Sequence, residues 1–284
     1  MTVRVLAILG IGLVPADTPV VRADDLGLTR GDGCFEGCRV RTGSDGVSSV
    51  DKLAAHLDRM AASAASVGIA FDRVAWCELV AQATAALTEP GESAMKLVLT
   101  RGPAGCATPT SLLTISPLPP EYPQQRRDGL RVITLTRGTA PDAFLDAPWL
   151  LGGVKTLSYA VNMAAQREAA RRGADDAILL TAAGMVLESP TGSVVWAVGR
   201  TLRTIAPGAS GILAGTTQQL LFERARAAGW TTEVGAATVA DLHAADVLWL
   251  VGSVRGPVDV VLLDGTARRR HPSVDAEIRR LAGF

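Results

Sequence analysis

The sequence predicts a mixed α/β (α+β) protein made of two domains. With 284 residues, 48% of them hydrophobic, the chain can bury a large core, and this length suits one large domain or two smaller ones. Between two halves of mixed helix and strand character lies Ser116–Gly129, where four prolines and many polar residues indicate an exposed, irregular segment. We therefore expect a small N-terminal α/β domain (1–116), an interdomain linker (117–129) and a larger C-terminal α/β domain (130–284).

The first half predicts a strand, a helix and a further strand in turn. The apolar run Val5–Val14 has only one early positive residue, Arg4, and no clear cleavage site follows it, which favours a buried first strand over a secretion signal. Farther on, SVDKLAAHLDRMAASAASVGI has apolar residues at helical spacing, and Gly68 stands where a helix would end. The segment MKLVLTRG then predicts a buried strand that runs into a turn.

The second half predicts more strands, with helices between them. Four runs rich in Val, Leu and Ile are typical of strands: LRVITLT, AILLTAAGMVLES, SVVWAVG and VLWLVGS. Helices are predicted at about 156–172, ended by Gly173, and at about 217–228, ended by Gly229. A cleft between two such lobes is a common place for a ligand.

The charge balance favours a small-molecule partner over a nucleic acid or a membrane. Lys plus Arg and Asp plus Glu each number 28, so the formal net charge is zero, and no block of like charge marks a nucleic-acid surface. The sequence contains no run of 18 or more uninterrupted apolar residues, so it predicts no membrane span. We expect a cytoplasmic protein.

The four cysteines lack the CxxC or Cys/His spacing of a zinc site. An intracellular chain would keep them reduced. We therefore interpret Cys34, Cys38, Cys77 and Cys106 as core thiols and expect no metal.

Lysine is the most informative residue type, because only three of the 28 basic residues are lysines and the others are arginines, which cannot form a Schiff base. Lys52 stands among exposed residues at a helix start, and Lys96 opens a strand beside polar neighbours, so both are expected in solvent. Lys155 follows PWLLGGV and precedes a helix with mostly apolar neighbours. Desolvation there would lower its pKa and make the amine nucleophilic. A helix-start lysine that points to water is the alternative.

Five motifs occur in order along the chain: GDGCFEGCRV (31–40), HLDR (56–59), VKTLSYAVNMAAQREAARRGADDAILL (154–180), GMVLES (184–189) and GILAGTTQQLLFERA (211–225). Together they resemble the class-IV aminotransferases, the fold-type-IV group of branched-chain and D-amino-acid aminotransferases and aminodeoxychorismate lyases. The resemblance extends from about residue 28 to the last strand. It implies a two-domain enzyme with pyridoxal 5'-phosphate (PLP) in the cleft, and a homodimer with sites near the interface.

The resemblance implies roles for individual residues. Lys155 would bind the cofactor as a Schiff base and then act as a general base on the substrate Cα proton. Arg59 would grip the cofactor phosphate through its guanidinium fork, and Glu188 would face the pyridine nitrogen and keep it protonated. Read alone, Arg59 would be a helix-surface arginine and Glu188 a strand-end acid.

LAGTTQQ places Gly215, Thr216 and Thr217 at a helix start, where free backbone N–H groups bind phosphate; a threonine cap without a ligand is the alternative. The resemblance also implies that the cofactor site includes Leu213, Ser253 and Tyr159, the last near the phenolic oxygen, and that the substrate site includes Phe35, Arg101 and Arg255.

Departures from the family pattern leave the substrate open. Ser158 and Ser193 replace common asparagines. The loop PAGCATPT lacks both the Arg-x-His carboxylate trap of the best-known D-amino-acid aminotransferases and the Arg-Gly-Tyr of many aminodeoxychorismate lyases. The compact chain and MKLVLTRG favour the lyase, and Arg255 would then lie near a dicarboxylate substrate. An exposed loop arginine is an equal alternative for Arg255.

We therefore expect a 4-amino-4-deoxychorismate lyase, which yields pyruvate and 4-aminobenzoate, a folate precursor. An aminotransferase acting on D-amino or branched-chain amino acids is the other enzymatic candidate. A binding module or catalytically dead relative would require Lys155, Arg59 and Glu188 to be retained by accident.

Overall fold

A computed structural model describes residues 3–284, which form two compact units. The first unit extends to Pro119 and also includes Val154–Tyr159, and the second contains Pro120–Gly153 and Ala160–Phe284. Each unit combines strands with helices, so the predicted α/β class and two-part organisation are confirmed. The short segment that carries Lys155 lies in the first unit, although the sequence analysis assigned it to the C-terminal domain. Along residues 3–284 no helix is long and apolar enough to cross a membrane.

The first unit contains one antiparallel sheet and three helices. Its elements are β1 (Val5–Ile8), β2 (Gly12–Val14), α1 (Leu26–Arg30), β3 (Gly33–Thr42), β4 (Ser48–Val50), α2 (Leu53–Ser66), α3 (Arg73–Ala85), β5 (Gly91–Thr100) and β6 (Thr110–Pro117). The strand order is β2-β1-β6-β5-β3-β4, and every neighbouring pair is antiparallel. The predicted strand MKLVLTRG is the second half of β5.

Helix α2 packs against this sheet because its apolar residues recur at helical spacing. Leu57 and Met60 are buried beside Trp76 of α3. The helix ends at Ser66, and Gly68 follows with a φ of 65°, in the left-handed region that glycine enters without steric cost. The predicted helix is therefore confirmed.

The segment Val5–Val14 forms two strands and not the single buried strand that its composition predicts. β1 and β2 make a hairpin; Gly10 lies in its turn and Gly12 is the first residue of β2, with φ of 80° and 99°. Ile11 between them is 72% exposed. The two glycines permit a reversal that an apolar run alone does not predict.

The second unit contains a mixed sheet and five α-helices among the described residues. Its elements are α4 (Glu121–Asp128), β7 (Leu130–Thr136), α5 (Ala160–Arg171), β8 (Asp176–Leu180), β9 (Ser193–Val198), β10 (Thr201–Ile205), α6 (Thr216–Ala227), β11 (Thr231–Gly235), α7 (Val239–Ala244), β12 (Val247–Gly252), β13 (Gly256–Leu263), β14 (Thr266–Ala267) and α8 (Pro272–Ala282). The strand order is β11-β10-β9-β12-β13-β7-β8, and β14 pairs with β13. The four predicted strand segments contain β7, β8, β9 and β12.

Two helices of this unit differ from the predicted ranges. α6 begins and ends one residue earlier than predicted, whereas α5 begins at Ala160 and not near Thr156. α5 begins later than predicted because Val154–Tyr159, which belongs to the first unit, pairs with β3 and is not helical.

The proline-rich stretch is not the irregular linker that its composition predicts, because Glu121–Asp128 forms α4. Pro119 and Pro120 precede the helix, and Pro123 lies in its first turn. The N–H groups of a first turn have no partner within the helix, so a proline there removes no hydrogen bond. The prolines therefore determine where α4 begins and do not prevent it.

A buried ion pair joins two distant parts of the second unit. Arg255, in the turn between β12 and β13, donates from Nη2 to Oδ2 of Asp176 at the start of β8, at 2.6 Å. The Asp176 side chain is fully buried, and that of Arg255 is nearly so. The Arg255 guanidinium carbon also lies 5.9 Å from the ring centroid of Tyr122 in α4. Arg255 is therefore not the exposed loop arginine considered above.

We predict that Arg255→Met lowers the free energy of unfolding by about 3–5 kcal/mol, because it leaves the Asp176 carboxylate buried without its partner. Urea unfolding can be followed by tryptophan fluorescence, since four of the five tryptophans belong to the second unit. The double variant Asp176→Asn/Arg255→Met removes both charges and should recover much of the loss.

Arg131→Met is the matched control, because Arg131 forms an exposed ion pair with Asp175. Such pairs contribute little, so its effect should be far smaller. An Arg255→Met loss no greater than the Arg131→Met loss would contradict the prediction.

Candidate active site

Main-chain hydrogen bonds attach the Lys155 segment to the edge of β3. Phe35 N–H donates to the Lys155 carbonyl at 3.0 Å, and Leu157 N–H donates to the Gly33 carbonyl at 2.9 Å. β4 pairs only with the far end of β3, at Val40–Thr42, so the first residues of β3 are open on this edge. The segment therefore forms one antiparallel bridge with the edge of β3, between Thr156 and Cys34, and this pairing fixes the backbone at Lys155.

Two neighbours restrict this attachment further. The Lys155 N–H donates to Oγ of Ser63 in α2 at 3.3 Å. A Cβ atom on Gly33 would lie 2.4 Å from the carbonyl oxygen of Leu99 and 2.8 Å from Cδ1 of Leu157. Only glycine fits this close approach, which explains the second glycine of the GDG sequence.

The Lys155 amine lies beside two aromatic rings. Its Nζ donates to the Tyr159 hydroxyl at 3.4 Å and lies 4.4 Å from the centroid of the Phe35 ring. The two rings meet edge to face, with centroids 5.1 Å apart. Three of the predicted residues are thus in contact, and the amine is half-buried against aromatic faces that attract a cation. The predicted solvent exposure of Lys96 is confirmed, although Lys96 lies within β5 and does not open it.

Arg59 is bonded to a buried carboxylate, Glu36, that the sequence analysis missed. Arg59 Nε donates to Glu36 Oε1 and Arg59 Nη2 donates to Oε2, each at 2.7 Å. His56 Nδ1 lies 2.7 Å from the same Oε2. The Glu36 and His56 side chains are fully buried, and that of Arg59 is 13% exposed. The sequence did contain a signal for this partner. Glu36 lies two residues from both Cys34 and Cys38, on the same buried face of a strand, where a carboxylate requires partners.

Burial and hydrogen bonding decide how these groups ionise. Burial raises the pKa of Glu36, but hydrogen bonds from Arg59 and His56 and the positive charge of Arg59 outweigh it and lower the pKa to about 2. Burial lowers the pKa of His56, and the opposing effect of Glu36 is smaller. Because an ionised carboxylate only accepts hydrogen bonds, the neutral imidazole must donate from Nδ1. Glu36 therefore stays charged at neutral pH, with donors on both oxygens.

The predicted substrate residue Arg101 is bonded to the loops around it. Arg101 Nε donates to Asp32 Oδ2 at 2.6 Å, and Nη2 donates to the Val67 carbonyl at 2.5 Å. Its hydrogen bond to Asp32 raises its already high pKa. In the structure Arg101 thus joins the end of β5 to the loops before β3 and after α2.

Glu188 and Leu213, two of the residues predicted for the cofactor site, are in contact in the second unit. Leu213 N–H donates to Glu188 Oε2 at 3.1 Å, and Arg137 Nη1 lies 3.9 Å from Oε1. The backbone carbonyl of Glu188 accepts a hydrogen bond from Leu179 of β8 at 2.9 Å. The side chain is only 15% exposed. The carboxylate is therefore a fixed negative charge at the end of a short segment beside β8.

Four residues predicted to bind phosphate lie at or beside the first turn of α6. Gly215 caps the helix, and the buried side chains of Thr216 and Thr217 bond through Oγ1 to the Ser253 Oγ at 3.0 and 3.1 Å. A Cβ atom on Gly215 would lie 2.4 Å from Oγ of Ser193, so the turn has no room for a larger residue. A helix N-terminus presents backbone N–H groups and the positive end of the helix dipole, so this terminus is of a kind suited to an anion.

The other predicted residues are placed less simply. The guanidinium of Arg255 is bonded to Asp176, as described above. Cys34 and Cys38 are buried. Burial raises the pKa of the Cys34 thiol to about 12 and also raises the pKa of the Cys38 thiol above its ordinary value. Cys77 and Cys106 are exposed and not core thiols, because Cys77 lies on the outer face of α3 and Cys106 in the loop after β5.

The side chains present fit PLP. Lys155 provides an amine for the aldehyde, and Arg59, the first turn of α6 and the hydroxyl of Ser253 are donors of the kind that bind a phosphate dianion. Glu188 provides a carboxylate for a protonated pyridine nitrogen.

Comparison with known proteins supports the same family. Residues 33–263 match the family described as amino-transferase class IV. A Mycobacterium tuberculosis protein named bifunctional aminodeoxychorismate lyase / D-amino acid transaminase is 41% identical over 263 residues, which is 89% of each chain.

Solved structures agree in fold. A hypothetical aminotransferase from Mycobacterium tuberculosis in its PLP-bound form has a TM-score of 0.92 and 39% identity over 98% of both chains. Its form with α-ketoglutarate and PMP has the same TM-score and 40% identity, again over 98% of both chains. A fold IV transaminase from Curtobacterium pusillum has a TM-score of 0.90 and 37% identity, over 98% of this chain and 97% of that one.

The match over residues 33–263, the 41% identity to the Mycobacterium tuberculosis relative and the agreement in fold lead to one conclusion: the chain belongs to the class-IV aminotransferases and is a PLP-dependent enzyme.

Proposed function

We propose that the protein is a 4-amino-4-deoxychorismate lyase that releases pyruvate and leaves 4-aminobenzoate, and thereby supplies a folate precursor. The observation that carries this proposal is the 41% identity, over 89% of both chains, to a relative named for that lyase activity. The geometry supports it through the amine of Lys155, which is half-buried and restrained on β3.

Lys155 has the chemistry of both an anchor and a base. Its primary amine would hold the cofactor through the aldehyde group and, when free, would remove the proton at the substrate carbon that carries nitrogen. The bound cofactor supplies an electron sink for the electron pair left on that carbon. Tyr159 accepts a hydrogen bond from Nζ, and the Phe35 ring covers the amine, so both residues limit its rotation and its hydration.

The remaining proposed residues orient the cofactor or adjust its charge. We assign the phosphate to Arg59, to the first turn of α6 and to the Ser253 hydroxyl, which Thr216 and Thr217 orient by hydrogen bonding. Glu188 would face the pyridine nitrogen and keep it protonated, and the Leu213 N–H holds the carboxylate in place. Each contribution is electrostatic and is preorganised before the substrate arrives.

After proton removal the two candidate reactions differ. In the lyase, the bond from the ring to the enolpyruvyl oxygen breaks, the enolpyruvyl group leaves as pyruvate, and the ring becomes aromatic. In a transaminase, the proton would instead be returned, water would release a 2-oxo acid, and the cofactor would retain the amino group. The same relative is also named D-amino acid transaminase, and a similar solved structure contains α-ketoglutarate with PMP. Transamination of D-amino acids is therefore the second candidate activity.

We also propose a cytoplasmic homodimer. The four cysteines are free thiols, which suits a reducing compartment. In the segment before Lys155, Leu145, Trp149 and Leu150 are 60%, 74% and 48% exposed. Exposed tryptophan and leucine close together are typical of a subunit contact.

We predict that the PLP-loaded protein converts 4-amino-4-deoxychorismate to equal amounts of pyruvate and 4-aminobenzoate. Pyruvate can be measured by coupled NADH oxidation and 4-aminobenzoate by chromatography. In a separate assay, D-alanine with 2-oxoglutarate tests the transaminase. Lys155→Ala should abolish both activities because it removes the base, and Lys96→Ala is the matched lysine control.

Turnover of D-alanine without formation of 4-aminobenzoate would overturn the lyase in favour of the transaminase. Inactivity with both substrates would overturn both proposals.

We predict that Glu188→Gln retains the cofactor but slows Cα-proton removal about a hundredfold to a thousandfold, which corresponds to about 3–4 kcal/mol for one preorganised electrostatic group. The amide still accepts the Leu213 hydrogen bond, yet it carries no charge to stabilise a protonated pyridine nitrogen. Exchange of the substrate Cα hydrogen for solvent deuterium measures this step, with cofactor occupancy determined by absorbance.

Glu277→Gln applies the same chemical change to an ion pair with Arg200 in the second unit, and it should leave the exchange rate unchanged. Equal exchange rates for Glu188→Gln and the wild type at equal occupancy would show that Glu188 is only a strand-end acid.

A further inference from the structure

We infer that Glu36, assisted by His56, is a positioning residue for cofactor binding: its buried carboxylate fixes the direction in which Arg59 presents its guanidinium to the phosphate. The inference rests on the proposed function, in which Arg59 binds that phosphate.

The geometry of the pair restricts Arg59 strongly. Two N–H donors, on Nε and Nη2, bond to the two oxygens of one carboxylate at 2.7 Å each, so the guanidinium and carboxylate groups meet as matched forks. An arginine on an open helix surface samples many rotamers and loses that freedom when it binds a ligand. Because Arg59 is ordered by Glu36 beforehand, most of that loss has already occurred when phosphate binds.

The carboxylate itself cannot move freely. Glu36 belongs to β3, whose ten residues all pair with β5, and its side chain is fully buried. His56 precedes Arg59 by three residues and lies on the same face of α2, so helix and strand meet at one oxygen, Oε2. The low pKa of Glu36 means that the carboxylate stays ionised throughout the neutral range and does not release Arg59. Lys52 and Asp51 are the further charged side chains near this cluster.

Positioning and simple charge attraction predict opposite results when Glu36 is changed. The carboxylate partly neutralises Arg59, so its removal would strengthen the attraction between Arg59 and a phosphate if only charge mattered. If orientation matters, its removal would weaken cofactor binding, because Arg59 then samples other rotamers. The direction of the change in PLP affinity therefore distinguishes the two accounts.

We predict that Glu36→Gln raises the dissociation constant of PLP about tenfold or more, as expected when a charge-assisted bidentate contact is lost. The reconstituted apoprotein can be titrated with PLP by absorbance and by quenching of tryptophan fluorescence. At saturating PLP, kcat should remain close to the wild-type value, since Glu36 touches neither the substrate nor the reacting atoms.

Glu92→Gln is the matched control, because Glu92 forms a 2.6 Å ion pair with the buried Arg39 in the same unit. It should lower stability without changing the dissociation constant. Arg59→Ala should raise that constant at least as much as Glu36→Gln. If circular dichroism shows that Glu36→Gln does not fold, Glu36→Asp keeps the charge and shortens the reach, and it should also weaken PLP binding.

An unchanged or tighter dissociation constant for folded Glu36→Gln, with weaker binding by Arg59→Ala, would overturn the positioning role of Glu36 alone. Wild-type affinity in Arg59→Ala would overturn both this inference and the proposed phosphate role of Arg59.

Discussion

The main-chain pairing between the Lys155 segment and β3 is the constraint on which the candidate site depends. A lysine amine ends a flexible chain of four methylenes, and its position is useful only if the backbone beneath it is fixed. Two main-chain hydrogen bonds fix that backbone on a ten-residue strand: Phe35 N–H donates to the Lys155 carbonyl, and Leu157 N–H donates to the Gly33 carbonyl. Backbone pairing does not depend directly on side-chain chemistry, but this attachment requires a glycine at Gly33, where a Cβ would collide with main chain.

The same strand organises two kinds of chemistry through its pleat. Successive side chains of β3 point to opposite faces, so Phe35 contacts the Lys155 amine while Glu36 is buried against α2 and bonds to Arg59. A one-residue change in register would exchange these faces and remove both arrangements at once. The dipeptide Phe35–Glu36 therefore links the proposed anchor of the cofactor to the arginine proposed for its phosphate.

Local patterns predicted the elements well, because helical periodicity, helix-ending glycines and apolar strand runs act over a few residues. α2, α6 and the main strands were predicted on this basis, and the five ordered motifs predicted the family. Predictions were wrong where the amino-acid composition of a segment is compatible with two different local structures. The prolines of Ser116–Gly129 precede or begin a helix, and Gly10 and Gly12 divide an apolar run into a hairpin. The exposure of Cys77 depends on which face of α3 points outward, and that of Cys106 on the path of the loop after β5, and neither follows from cysteine spacing.

Long-range contacts could not be predicted from a single sequence. Asp176 and Arg255 are 79 residues apart, and the bond from Lys155 to Ser63 spans 92 residues. The membership of Val154–Tyr159 in the first unit follows from such contacts. Glu36 was within reach of prediction, because an acid on an apolar strand face requires a buried partner and HLDR supplies two candidates.

The most direct measurement is borohydride reduction of the PLP-loaded protein, followed by tryptic peptide mapping. Reduction fixes the cofactor permanently on the amine that binds it, and a modified lysine is not cut by trypsin. We expect one label per chain, in an uncut peptide from Gly138 to Arg167 with the added mass on Lys155. A label on Lys52 or Lys96 would contradict the assignment and, with it, the role proposed for the β3 attachment.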